Sequence, residues 1–143
     1  MKKNILLAIA LLCFIGFASC KDNGSVGFLS EPQQITGTKW YLIGYFDVEK
    51  NEFIEANPSP TLYFDTDTTA YGTTLCNTLH YEIQGNKIKR ILMSWVGDAH
   101  NGNLKLFYDA LKSLETFKIE NDKLIIYYDS YKKYLLYGVP NDW

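Results

Sequence analysis

The chain has 143 residues, with 14 basic and 16 acidic side chains, a formal net charge of −2 and an aromatic content of 15%. That length suits one domain with a single core. The interspersed charges form no basic stripe, which argues against nucleic acid as a partner.

The first twenty residues carry an address. Lys2 and Lys3 precede an apolar run of thirteen residues from Ile5 to Phe17, and then come Ala18, Ser19 and Cys20. A membrane-spanning helix needs about 20 apolar residues, so this run is too short. A positive flank, a short apolar region and a small-residue site fit an export signal that is removed. Phe17-Ala18-Ser19-Cys20 resembles the lipobox of bacterial lipoproteins, although the family prefers Leu where Phe17 stands. The resemblance implies a signal peptide over residues 1–19 and lipid attachment at Cys20. The expected location is the bacterial cell envelope, lipid-anchored at the outer membrane, on its periplasmic face or at the cell surface. An ordinary secretory signal with a chance cysteine is the alternative. Residues 20–35 then read as the lipidated cysteine and a flexible tether, since Lys21-Asp22-Asn23-Gly24-Ser25-Val26-Gly27 is small and polar.

Removing residues 1–19 from the 143 leaves 124. Lys2 and Lys3 go with them, so 12 basic face 16 acidic residues, a net of −4. Cys13 also leaves and Cys20 is acylated, so Cys76 is the remaining thiol and no intramolecular disulfide is expected. Such a cysteine is usually a small buried hydrophobe. As a nucleophile it would need a base, and His80 lies four residues on, but no recognisable Cys/His motif surrounds the pair.

Residues 36–143 read as one β domain. Thr38 to Phe46 is rich in strand formers and opens the fold. Residues 52–55 return as a short strand, and Pro58 and Pro60 break the ladder because proline has no amide hydrogen. Residues 61–65 and 69–73 flank a turn at Thr66-Asp67-Thr68, with Leu62 and Phe64 on one face and Tyr63 on the other. Residues 79–84 and 87–93 flank Gly85-Asn86, and the phase becomes mixed past Arg90, as a bulge or a buried edge would make it. Leu104, Phe107, Tyr108, Leu111 and Leu114 follow the helical period, with Lys105, Asp109 and Lys112 on the wet side. Asn101-Gly102-Asn103 offers side chains to cap the free amides of that helix. Three closing strands cover residues 115–120, 124–128 and 133–137. The fold class is therefore mainly β (α+β), an antiparallel sheet or barrel-like meander with one packed helix near residues 103–115.

These elements resemble the META domain, the HslJ-like family of exported bacterial proteins. Trp40-Tyr41-Leu42 stands at its first strand, Leu62-Tyr63-Phe64 at its second and Gly72-Thr73-Thr74-Leu75-Cys76-Asn77 near its strand–Gly–x–Cys-Asn segment. Leu104 to Leu114 takes the helix position and Lys123 to Tyr127 the strand after it, so the similarity covers about residues 36–138. The second cysteine of many members is missing from Ile91-Leu92-Met93-Ser94-Trp95-Val96, so a paired-cysteine role does not transfer. The resemblance implies an envelope or stress-related binding module rather than a defined reaction. A lipocalin-like carrier of a small apolar ligand is the competing reading, because Gly37-Thr38-Lys39-Trp40 and a late helix also fit that barrel.

Chemistry-bearing motifs are scarce. Asp65 and Asp67 lack the third ligand, glycine and distal glutamate of a calcium loop. His80 and His100 stand twenty residues apart with no zinc-ligand spacing. No metal, no cofactor and no catalytic residue is expected. The loop from Trp95 to Gly102 joins an aromatic, an acid, an imidazole and two glycines, which makes Trp95, Asp98 and His100 the ligand-binding candidates. Tyr41, Tyr45, Tyr63, Tyr127 and Tyr131 are candidates for surface stacking. The expected partners are the membrane, through the anchor, and an envelope protein or small ligand.

Overall fold

The computed structural model describes residues 35–97 and 101–140. Nine strands follow in order: β1 (Lys39–Asp47), β2 (Glu52–Glu55), β3 (Thr61–Phe64), β4 (Thr69–Thr73), β5 (Thr78–Gln84), β6 (Lys87–Met93), β7 (Leu114–Glu120), β8 (Lys123–Tyr128) and β9 (Lys133–Gly138). One helix, α1 (Leu104–Leu111), lies between β6 and β7. All strand pairings are antiparallel, and β9 returns to β1. The result is a closed eight-stranded barrel with β2 as an additional strand, so closure removes most of the edges that would otherwise pair with other chains. β1 makes this possible by dividing one edge, giving Lys39–Tyr41 to β3 and Gly44–Asp47 to β2.

Alternation decides what fills the barrel. Leu62 and Phe64 are buried while Tyr63 is exposed, and Ala70 and Gly72 point inward between Thr69, Tyr71 and Thr73. Besides the register shift in β7 between Leu114 and Phe117, bulges in β1 and β6 correct the phase. Ile43 is the extra residue in β1, where Leu42 faces Tyr137 and Gly44 faces Leu136. Lys89 is extra in β6, where Arg90 faces Glu82 and Ile88 faces Ile83. The second bulge accounts for the mixed phase past Arg90: it returns Ile91 and Met93 to the core side occupied by Ile88.

The centre is packed with side chains. Leu42, Leu62, Tyr81, Leu124, Ile126, Leu135 and Tyr137 come from five strands, and α1 adds Leu104 and Phe107. Such an interior packs like an organic solid, with little room for a guest. Ile35 also joins this core, so the core includes a residue assigned to the tether.

The helix is shorter than its apolar stripe suggests. Leu114 fits the period, but its backbone pairs with Tyr128 of β8, and the chain turns at Lys112–Ser113. Strand pairing claims the last turn. The expected side-chain cap is also absent at Asn103. Its amide instead spans to the segment after β2, accepting from the Asn57 N–H at 2.9 Å and donating to the Glu55 carbonyl at 2.6 Å. Asn103 thus anchors the start of α1 to β2.

Candidate functional site

α1 lies across the barrel end where β1 and β8 finish and β9 starts. Between it, the β1–β2 hairpin and the β8–β9 turn opens a cleft of about 320 Å³. β1 supplies Tyr45, Phe46 and Asp47, β2 supplies Glu52 and Ile54, α1 supplies Leu106, Asp109 and Ala110, and β8 supplies Tyr128. The hairpin stays close to the barrel because Gly44 has no side chain. A Cβ there would come within 2.5 Å of both the Ile54 carbonyl oxygen and the Phe53 ring.

The floor is aromatic and apolar, and the rim carries paired charges. Asp47 accepts the Lys50 N–H at 3.0 Å, Lys133 reaches Asp129 at 3.1 Å, and Asp109 takes Lys105 at 2.5 Å and Lys112 at 2.6 Å. Those two lysine hydrogen bonds hold the Asp109 carboxyl down at about 2. Burial, then the Asp47 and Asp129 carboxylates, push the Tyr128 hydroxyl up to about 12. The Tyr45 hydroxyl is raised as well, first by burial and then by Tyr128. It is buried and has no hydrogen-bond partner among the described residues. A buried hydroxyl left in that state is costly and unusual. The arrangement offers shape, ring surface and a few polar atoms, which is the equipment of a binding site.

The tyrosine environments have a pH consequence. Tyr45, Tyr81 and Tyr137 are buried and raised mainly by desolvation, like the half-buried Tyr128. A phenol whose folded pKa is raised contributes stability that is fully present below its ordinary value of 10.0 and is lost as pH rises beyond it. Spectrophotometric titration should therefore leave these four of the 11 tyrosines un-ionised until the barrel opens, with denaturant midpoints falling above about pH 10. Independent ionisation of all eleven in the folded barrel would contradict this burial.

On the other side of α1 stands a second polar cluster. Asn77 is buried and donates through its side-chain amide to the Tyr108 hydroxyl at 2.9 Å, while its amide oxygen accepts the Val96 N–H at 2.7 Å. Thr74 adds a hydroxyl contact to Tyr108 at 3.1 Å. This cluster places Trp95, whose ring lies 6.3 Å from that of Tyr108 and which is exposed. Asp98 and His100 lie outside the described residues, as does Cys20. Tyr45 is buried, contrary to its candidacy as a surface stacking residue, because the Ile43 bulge turns it inward with Leu42. Tyr63 and Tyr131 are exposed, and Tyr41 and Tyr127 are partly so. Cys76 is exposed in the β4–β5 turn rather than buried, because it sits outside the alternation that fills the barrel. His80 stacks on Tyr71 with centroids 5.0 Å apart. Asp65 accepts the Thr69 hydroxyl at 2.6 Å, part of a turn held by threonine hydroxyls. Among the described residues no group of three or more His, Cys, Asp or Glu side chains is placed to hold a metal ion. Sequence reasoning named Asn77 only within the Gly72–Asn77 segment and Asp109 only on the wet side of the helix, and gave neither a site role, because the cleft carboxylates come from separate segments with no motif linking them.

No family model matches the chain. A Tannerella forsythia protein named "Putative lipoprotein" is 32% identical over 140 residues, covering 96% of both chains. Among solved structures, the crystal structure of a DUF4847 family protein from Bacteroides vulgatus is similar with a TM-score of 0.54 and 13% identity, over 74% of this chain and 94% of that one. The second likeness is one of fold.

Proposed function

Because the chain belongs to the same family as the Tannerella forsythia protein named "Putative lipoprotein", we propose that it is a non-enzymatic, envelope-anchored binding module of the outer membrane. Cys20 carries the lipid, residues 1–19 are the removed signal, and the barrel binds a small ligand or envelope component on its outside. The observation that carries this reading is a packed barrel centre beside an open cleft under α1. The same packing weighs against the lipocalin-like carrier, which needs a hollow apolar interior. Membership of the META group is part of the proposal and rests on Trp40-Tyr41-Leu42, Leu62-Tyr63-Phe64 and the α1 stripe.

The anchor is tested by Cys20→Ala. The variant is expected in the soluble fraction, and a variant that stays with the membrane would remove the lipobox argument. The site is tested by amide chemical-shift mapping during a screen of small molecules with an apolar body and a polar head. Shifts should gather at Tyr45, Asp47, Leu106 and Tyr128 and be lost in Leu106→Arg. Shifts gathered on core amides such as Leu62 and Leu135 would mean that ligands enter the barrel, and the carrier reading would replace this one.

A further inference from the structure

The outer wall made by β3 to β6 and the first half of β1 differs from the rest of the surface. The pairing registers set Lys39, Tyr63, Tyr71, His80 and Leu92 opposite one another in a single row across five strands. Beyond a polar row of Thr61, Thr73, Thr78 and Ser94, the loops after β4 and β6 add Leu75, Val96 and Trp95, which are 58%, 66% and 79% exposed. Those loops are neighbours, since the Thr78 N–H donates to the Ser94 hydroxyl and the Val96 N–H to Asn77. An exposed tryptophan on a rim of aliphatic side chains marks an interaction surface.

Charge selects the partner. With its β3–β4 turn included, this wall carries Lys39, Lys87, Lys89 and Arg90 against Glu82, Asp65 and Asp67, a net of +1, while the mature chain as a whole has four more acids than bases. A cationic, Tyr- and Trp-bearing face on an acidic domain is complementary to an anionic lipid surface, where aromatic rings with a polar tip settle at headgroup depth. The rings are not laid flat as a platform for sugars: Tyr71 and His80 stack on each other at 21°, so their edges face outward. We propose that this wall lies on the membrane to which the chain is anchored, with Trp95, Val96 and Leu75 in the headgroup layer.

The proposal rests on the lipid-anchor reading, and the chain length permits it. Residues 20–34 span up to about 50 Å when extended. The nine residues of β1 measure about 30 Å. The tether enters at Ile35, beside the bridge between Thr36 and Phe64, at the end opposite Trp95. It is long enough for the barrel to lie on its side.

The full chain, isolated from cells, is mixed with vesicles of phosphatidylcholine and phosphatidylglycerol carrying bromine near the headgroups, and flotation is followed in parallel. The Trp95 signal is the emission difference between the chain and its Trp95→Phe variant. The expected result is a several-fold, lipid-dependent loss of Trp95 emission together with protection from aqueous iodide. Lys87→Glu combined with Lys89→Glu should weaken that loss, and more so as salt is lowered, where the charges are less screened. Flotation with Trp95 open to iodide and untouched by bromine overturns the proposal while leaving the anchor intact, and assigns the wall to a protein partner. Bromine quenching without flotation keeps the wall and removes the anchor. No quenching at any lipid concentration overturns the proposal whether or not the chain floats.

Discussion

Gly102→Ala is expected to destabilise the domain by about 3 kcal/mol, from a left-handed backbone penalty of roughly 1–2 and a packing conflict of roughly 1–3 kcal/mol. Gly102 has φ +55°, and a Cβ built there would fall 1.8 Å from the Asn57 carbonyl oxygen and 2.7 Å from its carbon. Neither side can yield. The same Asn57 oxygen accepts the Asn103 N–H at 2.7 Å, and the Asn57 N–H is held by the Asn103 side chain. Moving the loop away therefore costs these two of the three bonds that fix the start of α1. For a domain of this size the melting temperature should drop by roughly 10–20 °C, read by circular dichroism. A drop of only a degree or two would show that the lead into α1 is loosely held. Because α1 forms one wall of the cleft, the variant should also lose ligand-induced shifts at Leu106 before the barrel unfolds.

Phe107→Ala should cost about 3–5 kcal/mol in urea unfolding, the usual range for truncating a buried phenylalanine. Phe107 is wholly buried, packs 5.9 Å from the Tyr108 ring and joins α1 to the barrel core. The neighbouring Leu106 is exposed on the cleft side of the same helix, so Leu106→Ala is expected to change stability by less than about 1 kcal/mol. The contrast between adjacent residues is the test. Equal effects at both positions would mean that α1 is held by its own helical propensity rather than by burial of one face.

Much of the architecture was legible because strand alternation is a local signal. Leu62, Tyr63 and Phe64 declare which side is wet within three residues, and the turns at Thr66–Thr68 and Gly85-Asn86 declare where the chain reverses. The helix was legible from Leu104, Phe107 and Tyr108, yet its end was not. Whether Leu114 continues a helix or begins β7 depends on Tyr128, fourteen residues away. The candidate site was far less legible. Tyr45, Asp47, Leu106 and Tyr128 meet only after β1, α1 and β8 have packed, and none belongs to a motif. Tyr45 shows the limit most sharply: one bulge residue, Ile43, moves it from the expected surface to the interior.

By itself the sequence determined the mainly β class, the strand and turn order and the presence of one late amphipathic helix. Each of these is written in residues within a few positions of one another, through hydropathy, side-chain period and turn chemistry. The tertiary structure decided the rest: that the meander closes through β1 and β9, that the barrel is filled, that Cys76 is exposed and Asn77 buried, and where the cleft opens. Those outcomes depend on pairing register and on side chains brought together across the whole chain. A one-residue bulge changes them while leaving the local pattern nearly untouched.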